Sequence, residues 1–462
     1  MSGERPRCLL PPRKLARLRK QLHVAKSLEC DQPVLLDGLT VSDSYYDPYH
    51  PSGFSAAVLL DESSLIMRNC RMVNGHFAGI LARDSDTVTL TDCVLSGSRG
   101  LESYETTSVT ATDCQFIDRA VVHVNSGDLT LENCHFVEAG ASFYGSSLNL
   151  SRAKVNHCIF ERARSNALNL VSGEFRLTNN AFIGNSSQLR MVVGAATVDN
   201  CRFSGSMQNT VVGGFGSALF RNCAFIHNSR RQAAIRWGSG NLYVFNSTIV
   251  GNGLSENNHY GGGLDLDGAS AQVLNSIIWG NGGAPRRSRE DNQIHVDEDS
   301  TLEIDYSIVE GWTGIYGGDG NSGLDPMLVD PDGPDDMPGT EDDNVRLSPN
   351  SPAVDDGLSS SPYLRSPELD GHARILCGDV DIGAYEFGIG DFNCDRTVNL
   401  SDFTHWPGCI TGPDPPQSPL GKGGRKDHVS GETPQGCEAF DFNADADIDL
   451  ADFAAFDAEF MK

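Results

Sequence analysis

The same short phrase returns twelve times between residues 34 and 309, and that repeat restricts the chain to a stack of like units. It reads "VLLDGLTV" first, then "LIMRNCRM", "VTLTDCVL", "LTLENCHF", "AKVNHCIF", "ATVDNCRF", "LYVFNSTI" and, last, "LEIDYSIV". Aligned on one column, the anchors are Leu39, Cys70, Cys93, Cys114, Cys134, Cys158, Asn180, Cys201, Cys223, Ser247, Ser276 and Ser307. Most lie 20 to 24 residues apart, and the first and last two intervals are 29 to 31.

Around each anchor, positions −5, −3, 0 and +2 are apolar or small. The +2 column runs Val41, Met72, Leu95, Phe116, Phe136, Phe160, Phe182, Phe203, Phe225, Ile249, Ile278, Val309. Spacing by two within each pair is the period of a strand with one buried face. Between −3 and 0 the phase slips by one residue, so both pairs can face inward only if the backbone bends there. Ten of the twelve residues at −1 are Gly, Asn or Asp, the types that best tolerate left-handed angles; the others are His157 and Tyr306. Each repeat is therefore read as strand, one-residue bend, strand, loop, and a third strand such as "AVVHV" or "AAIRW".

One repeat cannot bury its own apolar side. Stacking repeats about 4.8 Å apart pairs each strand with its neighbours and sets like on like. The expected fold is mainly β: a right-handed parallel β-helix of about 12 coils over 31–311, its hand following the rule for parallel crossovers. Seven of the thirteen cysteines share the anchor column, where in-register side chains point the same way. That is poor disulfide geometry, so they are read as small buried hydrophobes with Ser247, Ser276 and Ser307 as isosteres.

A net charge of −27 argues against nucleic acid and anionic membranes as partners. No apolar run is long enough for a membrane span. Residues 1–30 are basic and lack a signal-like apolar stretch, and they are expected to lie outside the fold.

After residue 311 the repeat stops, and Pro, Gly and Asp dominate 312–388. The phrases "GLDPMLVDPDGPDDMPGTEDDNVRLSPNSPAVDDG" and "DIGAYEF" resemble the closing region of bacterial right-handed β-helix repeat proteins, of the pectate-lyase-like superfamily. That resemblance implies a segment sealing the last coil.

The C-terminal 389–462 carries two stretches of matching design, "DFNCDRTVNLSDF" and "DFNADADIDLADF". Oxygen-bearing side chains occupy positions 1, 3, 5, 7, 9 and 12 of a twelve-residue loop in both: Asp391, Asn393, Asp395, Thr397, Asn399 and Asp402, then Asp441, Asn443, Asp445, Asp447, Asp449 and Asp452. This is the spacing by which an EF-hand loop wraps Ca²⁺, and a divalent cation offsets the repulsion among the carboxylates. Val398 and Ile448, at position 8, can pair the loops over a core. With Asp at position 12, the pair resembles a dockerin type I domain, a small α-helical calcium-binding module, which implies helices at "LSDFTHW" and "LADFAAFDAEF" and a cohesin-like protein partner. The sequence departs from the pattern at position 6, where Arg396 and Ala446 stand in place of Gly, and in a long insert bracketed by Cys409 and Cys437. Those two form either a disulfide pinning the insert or two unpaired thiols.

Eleven residues before each anchor, the third strand should face solvent. That column holds Ser103, His123, Ser147, Asn169, Arg190, Val212, Arg236 and Asp265, with His295 at a shifted offset. The candidate substrate-binding set is His123, Asn169, Arg190, Arg236, Asp265 and His295; the arginines suit uronate carboxylates and the histidines proton transfer. No tight carboxylate pair picks out a lyase or a hydrolase, so catalysis stays open. The expected function is extracellular polysaccharide recognition or breakdown, with a calcium-binding attachment module; the alternative is a non-catalytic surface adhesion or structural protein.

Overall fold

The computed structural model describes residues 22–25, 33–42, 56–73, 78–97, 99–144, 151–228, 232–254, 261–282, 288–365 and 367–403, with positions 409, 437, 440–442, 448 and 452. It is a parallel β-helix. The short strands after each bend, from Thr40–Ser42 to Ile308–Val309, form one 12-stranded parallel sheet, and the remaining solenoid strands form a second of 19. Pairing joins like columns: Phe116 sits beside Phe136, Phe136 beside Phe160, and so on to Phe225.

All twelve residues at the bend have positive φ, from 46° at Tyr306 to 64° at Gly38, with His157 at 50°. The bend turns −3 and +2 inward together, and every residue of both columns is buried. The six phenylalanines from Phe116 to Phe225 stack face to face with centroids 4.5 to 4.9 Å apart. Each ring contributes roughly 1.5–3 kcal/mol by burial.

The anchor column is also a hydrogen-bond ladder. Ser247 Oγ donates to the carbonyl of Phe245, and Ser276 Oγ to that of Leu274. Each hydroxyl in turn accepts the anchor amide of the preceding rung: Cys223 N–H to Ser247 Oγ, Ser247 N–H to Ser276 Oγ, Ser276 N–H to Ser307 Oγ. The thiols act in the same way, and all seven are unbridged and buried. The hydrogen bond from the thiol one rung on, with burial adding, pushes Cys93 up to about 11 and Cys114 up to about 12. They are therefore thiols rather than metal-ready thiolates at neutral pH.

A second polar column, at +5, lies beside the phenylalanine stack. The side-chain amides of Asn185, Asn228, Asn252 and Asn281 donate to the carbonyls of Phe160, Phe203, Phe225 and Ile249. Gln293 closes this column, its Oε1 accepting the backbone and side-chain amides of Asn281.

Two expectations need correction, and one bridge is new. Leu22–Ala25, within the segment placed outside the fold, pairs in parallel with Ala56–Asp61, because an open rung accepts any extended strand laid along it. The closing region does more than seal the end. Asn321 ends the anchor ladder, with Oδ1 accepting Ser307 N–H and Nδ2 donating to the carbonyl of Ile304. Most of 325–387 instead folds back as a cover along the outer face of the late short strands. There Val345, Leu347, Ala353, Val354, Ile382, Ala384 and Tyr385 bury Ala224, Ile226, Val250, Ile277 and Ile308. Bend asparagines act as studs for it: Asn222 donates to the carbonyl of Pro367, Asn200 to that of Glu368, and Asn275 Oδ1 accepts Leu358 N–H. Cys377 is bonded to Cys394, a bridge the sequence reading did not assign; the Cys409–Cys437 disulfide is present. In the C-terminal module helix is present at Leu400–Phe403, where the first expected helix begins, and at Asp452; the rest of both expected helices lies outside the described residues.

From Asn166 onward the third strand and the −5/−3 strand merge into single strands such as Asn166–Thr178 and Ser187–Asp199. The corner between them is a glycine ladder, Gly173–Gly194–Gly216–Gly240. A Cβ on Gly194, Gly216 or Gly240 would lie 2.1 Å from the carbonyl oxygen of the glycine one rung before.

Replacing Phe160 by Ala should cost about 3–5 kcal/mol in urea unfolding followed by circular dichroism. Asn133→Ala should cost about 1 kcal/mol, while Asn133→Gly stays near neutral. Equal losses for both changes at Asn133 would show that its left-handed angle (φ 51°) is not what the site requires.

Candidate functional site

The third strands carry the predicted residues into one unbroken register. His123 pairs with Ser142, Ser142 with Asn169, Asn169 with Arg190, Arg190 with Val212, Val212 with Arg236, Arg236 with Asp265, and Asp265 with His295. Eight rungs at about 4.8 Å give a line of roughly 34 Å on one face. The column does not face solvent throughout: Asn169 and Asp265 are buried, Asn169 beneath Arg190 and Asp265 beneath Arg236. Two further predicted members are displaced. Ser103 is buried and its neighbour Glu102 holds the slot beside His123. Ser142 takes the slot expected for Ser147, which lies outside the described residues, as does Tyr260. Before Glu102 the column turns apolar, with Leu81 and Leu59 in a small cluster against Tyr104.

Charge is concentrated toward the late rungs. Arg190 Nη1 donates to Asn169 Oδ1 at 3.2 Å. Arg236 lies across two carboxylates, its Nε 3.3 Å from Asp265 Oδ2 and its Nη2 3.1 Å from Asp267 Oδ2. Asp265 is only 2% exposed, so its charge leans on Arg236 far more than a surface pair would. One rung on, His295 Nδ1 is buried without a hydrogen-bond partner. At the other end, burial holds His123 below the usual histidine range, partly offset by the Glu102 carboxylate. His123 is therefore neutral at pH 7.

Both acidic loops place carboxylates 1 and 12 inside: Asp391, Asp402, Asp441 and Asp452 are all buried. In the first loop, Asp391 accepts the amides of Asp395 and Arg396, and Asp395 Oδ1 accepts that of Thr397. The two oxygens of Asp402 accept the amides of Asn393 and Asn399. The chain is thus wrapped around its own acidic groups. Burial raises the Asp391 carboxyl, and the Asp402 and Asp395 carboxylates add to the rise. Facing carboxylates on a preformed turn fit a hard cation, so Asp391, Asn393, Asp395, Thr397, Asn399 and Asp402 suit Ca²⁺. Ile448 is in the small core between the loops and Val398 packs against it, with Phe392 and Phe440 stacked 5.3 Å apart. Asn443, Asp445, Asp447 and Asp449 lie outside the described residues.

Among the described residues, one set of three chelating groups lies within 4.8 Å: Glu368, Asp370 and His372. Their donor atoms are largely committed. Arg346 grips Asp370 in bidentate fashion, and Glu368 Oε1 accepts the amides of Asp370 and His372 and faces His372 Nδ1. Nearby Arg374, paired with Glu386 and donating to the carbonyls of Asp381 and Gly383, holds the adjoining 381–386 segment. The sequence reading passed over this cluster, whose signal is the run "ELDGHAR".

Residues 29–187 match the family model of the right handed beta helix region. Over that stretch the solenoid is right-handed. That match supports about eight turns, fewer than the roughly 12 coils read from the anchors, while parallel pairing of the short strands runs on past it to Ile308–Val309. Among solved structures, a pectate lyase, Pel9A, matches with 12% identity and a TM-score of 0.33, covering 79% of this chain and 82% of that one. So slight a likeness transfers neither a site nor an activity. No curated protein matches. Among the described residues, no helix is long and apolar enough to cross a membrane.

The His123 ring should titrate with a midpoint below 6.5 by NMR. Glu102→Gln should lower that midpoint further, because it removes the carboxylate that favours the charged ring. A rise on that change would show that the Glu102 carboxylate does not favour the charged ring.

Proposed function

We propose that the column from His123 to His295 binds an extended, partly anionic polysaccharide laid along the solenoid axis. The observation that carries this reading is the unbroken register. Asn169 and Arg190, then after Val212 Arg236, Asp265 and His295, stand in one register, with Arg190 and Arg236 over the buried Asn169 and Asp265, a match for a polymer that repeats its own anionic groups. Arg190 and Arg236 would take carboxylates.

Recognition without cleavage is the form favoured here. Asp265 and Asp267, the carboxylates of the late rungs, are both engaged by Arg236. Neither is placed as an unencumbered base or nucleophile beside a second acid. If the protein does cleave its glycan, the class would be polysaccharide lyase or glycoside hydrolase.

The C-terminal loops complete the reading. They would each hold one Ca²⁺ and present the module to a cohesin-like partner, fixing the solenoid to an assembly or a surface. The two disulfides support a location outside the cell, where oxidised cysteines persist.

Binding of polygalacturonate and alginate by calorimetry tests the first part. Arg190→Ala and Arg236→Ala should each weaken affinity about tenfold, the loss of one charged hydrogen bond. Affinity that ignores both changes would remove the column from the site. Calcium titration should give two sites, and Asp402→Asn should abolish or strongly weaken one of them. A chain that takes up no calcium would end the loop assignment.

A further inference from the structure

The first acidic loop departs from its family pattern at position 6, and the structure shows where that departure leads. Arg396 has a positive φ of 66°, an angle that glycine adopts without penalty and arginine does not. Its guanidinium turns away from the loop, and Nη2 lies 3.1 Å from Asp355 Oδ2 on the solenoid cover. Two positions earlier, Cys394 is bonded to Cys377, also on the cover. From the second loop, the Phe442 carbonyl lies 3.4 Å from His372 Nε2 of the cover. Position 4 and position 6 of one loop and position 2 of the other thus all reach the same neighbour.

We infer that the paired-loop module is a clasp on the solenoid cover, so that calcium in the first loop and the packing of residues 353–387 form one coupled unit. This rests on the calcium reading above. The contacts differ in weight. Arg396 and Asp355 are both partly exposed, and such an ion pair is weak on its own. The covalent Cys377–Cys394 link carries the coupling, and the ion pair sets the angle at which the loop meets the cover.

The chain beyond the link also leads into the solenoid. The Asp355 amide donates to Asp381 Oδ1, and Asp381 Oδ2 accepts the amide of Phe387. The adjoining residues Ala353, Val354, Ile382 and Ala384 are core of the cover, and Ala384 N–H donates to Thr248 Oγ1 of the solenoid. A cation that tightens the first loop therefore pulls on a continuous path ending on the late rungs. A partner gripping the module would hold the solenoid at a fixed angle, without a hinge between them.

Hydrogen exchange on the full chain, with and without calcium, tests the coupling. With calcium at about a hundred times its dissociation constant, amides in 353–358 and 380–387 should exchange up to about a hundredfold more slowly than in chelator. The variant Cys377→Ser/Cys394→Ser/Arg396→Gly should still bind calcium by calorimetry and lose most of that slowing. If this variant does not fold, Cys377→Ser/Cys394→Ser takes its place with the same expectation. Slowing confined to 391–402 in the native chain, or retained in full by the variant, would overturn the clasp. Absence of any calcium heat would overturn it by a different route, since the loop assignment itself would then fail.

Discussion

Register between successive rungs is the constraint on which everything else rests. Parallel pairing brings each column onto itself, so one residue type must serve as its own neighbour many times over. Apolar residues meet that demand by stacking, as the phenylalanines do. Polar residues meet it only when one side chain can donate and accept along the axis, which restricts the interior to Asn, Ser, Cys and Gln in the anchor and +5 columns. The same rule orders the outside. A strand face held in register displays its outward side chains at the period of the stack, and this gives the His123–His295 line its regularity.

Much of this was legible because the repeat samples each structural position many times. The bend is a case in point. Twelve residues of several types, including His157 and Tyr306, adopt one backbone conformation, and the Asn/Asp/Gly majority shows that conformation in the sequence. The position 8 residues of the loops, Val398 and Ile448, were legible for a similar reason: two copies of one pattern. The polar column was assigned by counting back from the anchor. That count failed at Ser103 and Ser147, where loop lengths between strands vary and only the pairing itself fixes the slot.

What the sequence hid occurs once or depends on distant partners. Nothing near Cys377 announces Cys394. The lateral cover was invisible for another reason: the face it buries belongs to the +1 and +3 columns, which alternate with the inward ones and carry no common residue type. Their drift from Arg71, Gln115 and His135 in early rungs to Ala224, Ile277 and Ile308 in late ones is the trace of the cover. The bend asparagines likewise serve two ends, and only the backbone role can be read locally. The glycine corner left a signal, a glycine seven residues before four consecutive anchors, that makes sense only once the strands are seen to merge there.

That corner limits how such a solenoid can diversify. With no side chain tolerated and no loop between its strands, the glycine ladder admits neither insertion nor decoration. Extra length in the late rungs, between Val250 and Leu264 and again between Trp279 and Ile294, enters at another corner, immediately ahead of the strand segments carrying Asp265 and His295. New surface is thereby channelled to the margin of the polar line, so that a lineage varying its loops would alter what this face grips before it altered the stack beneath.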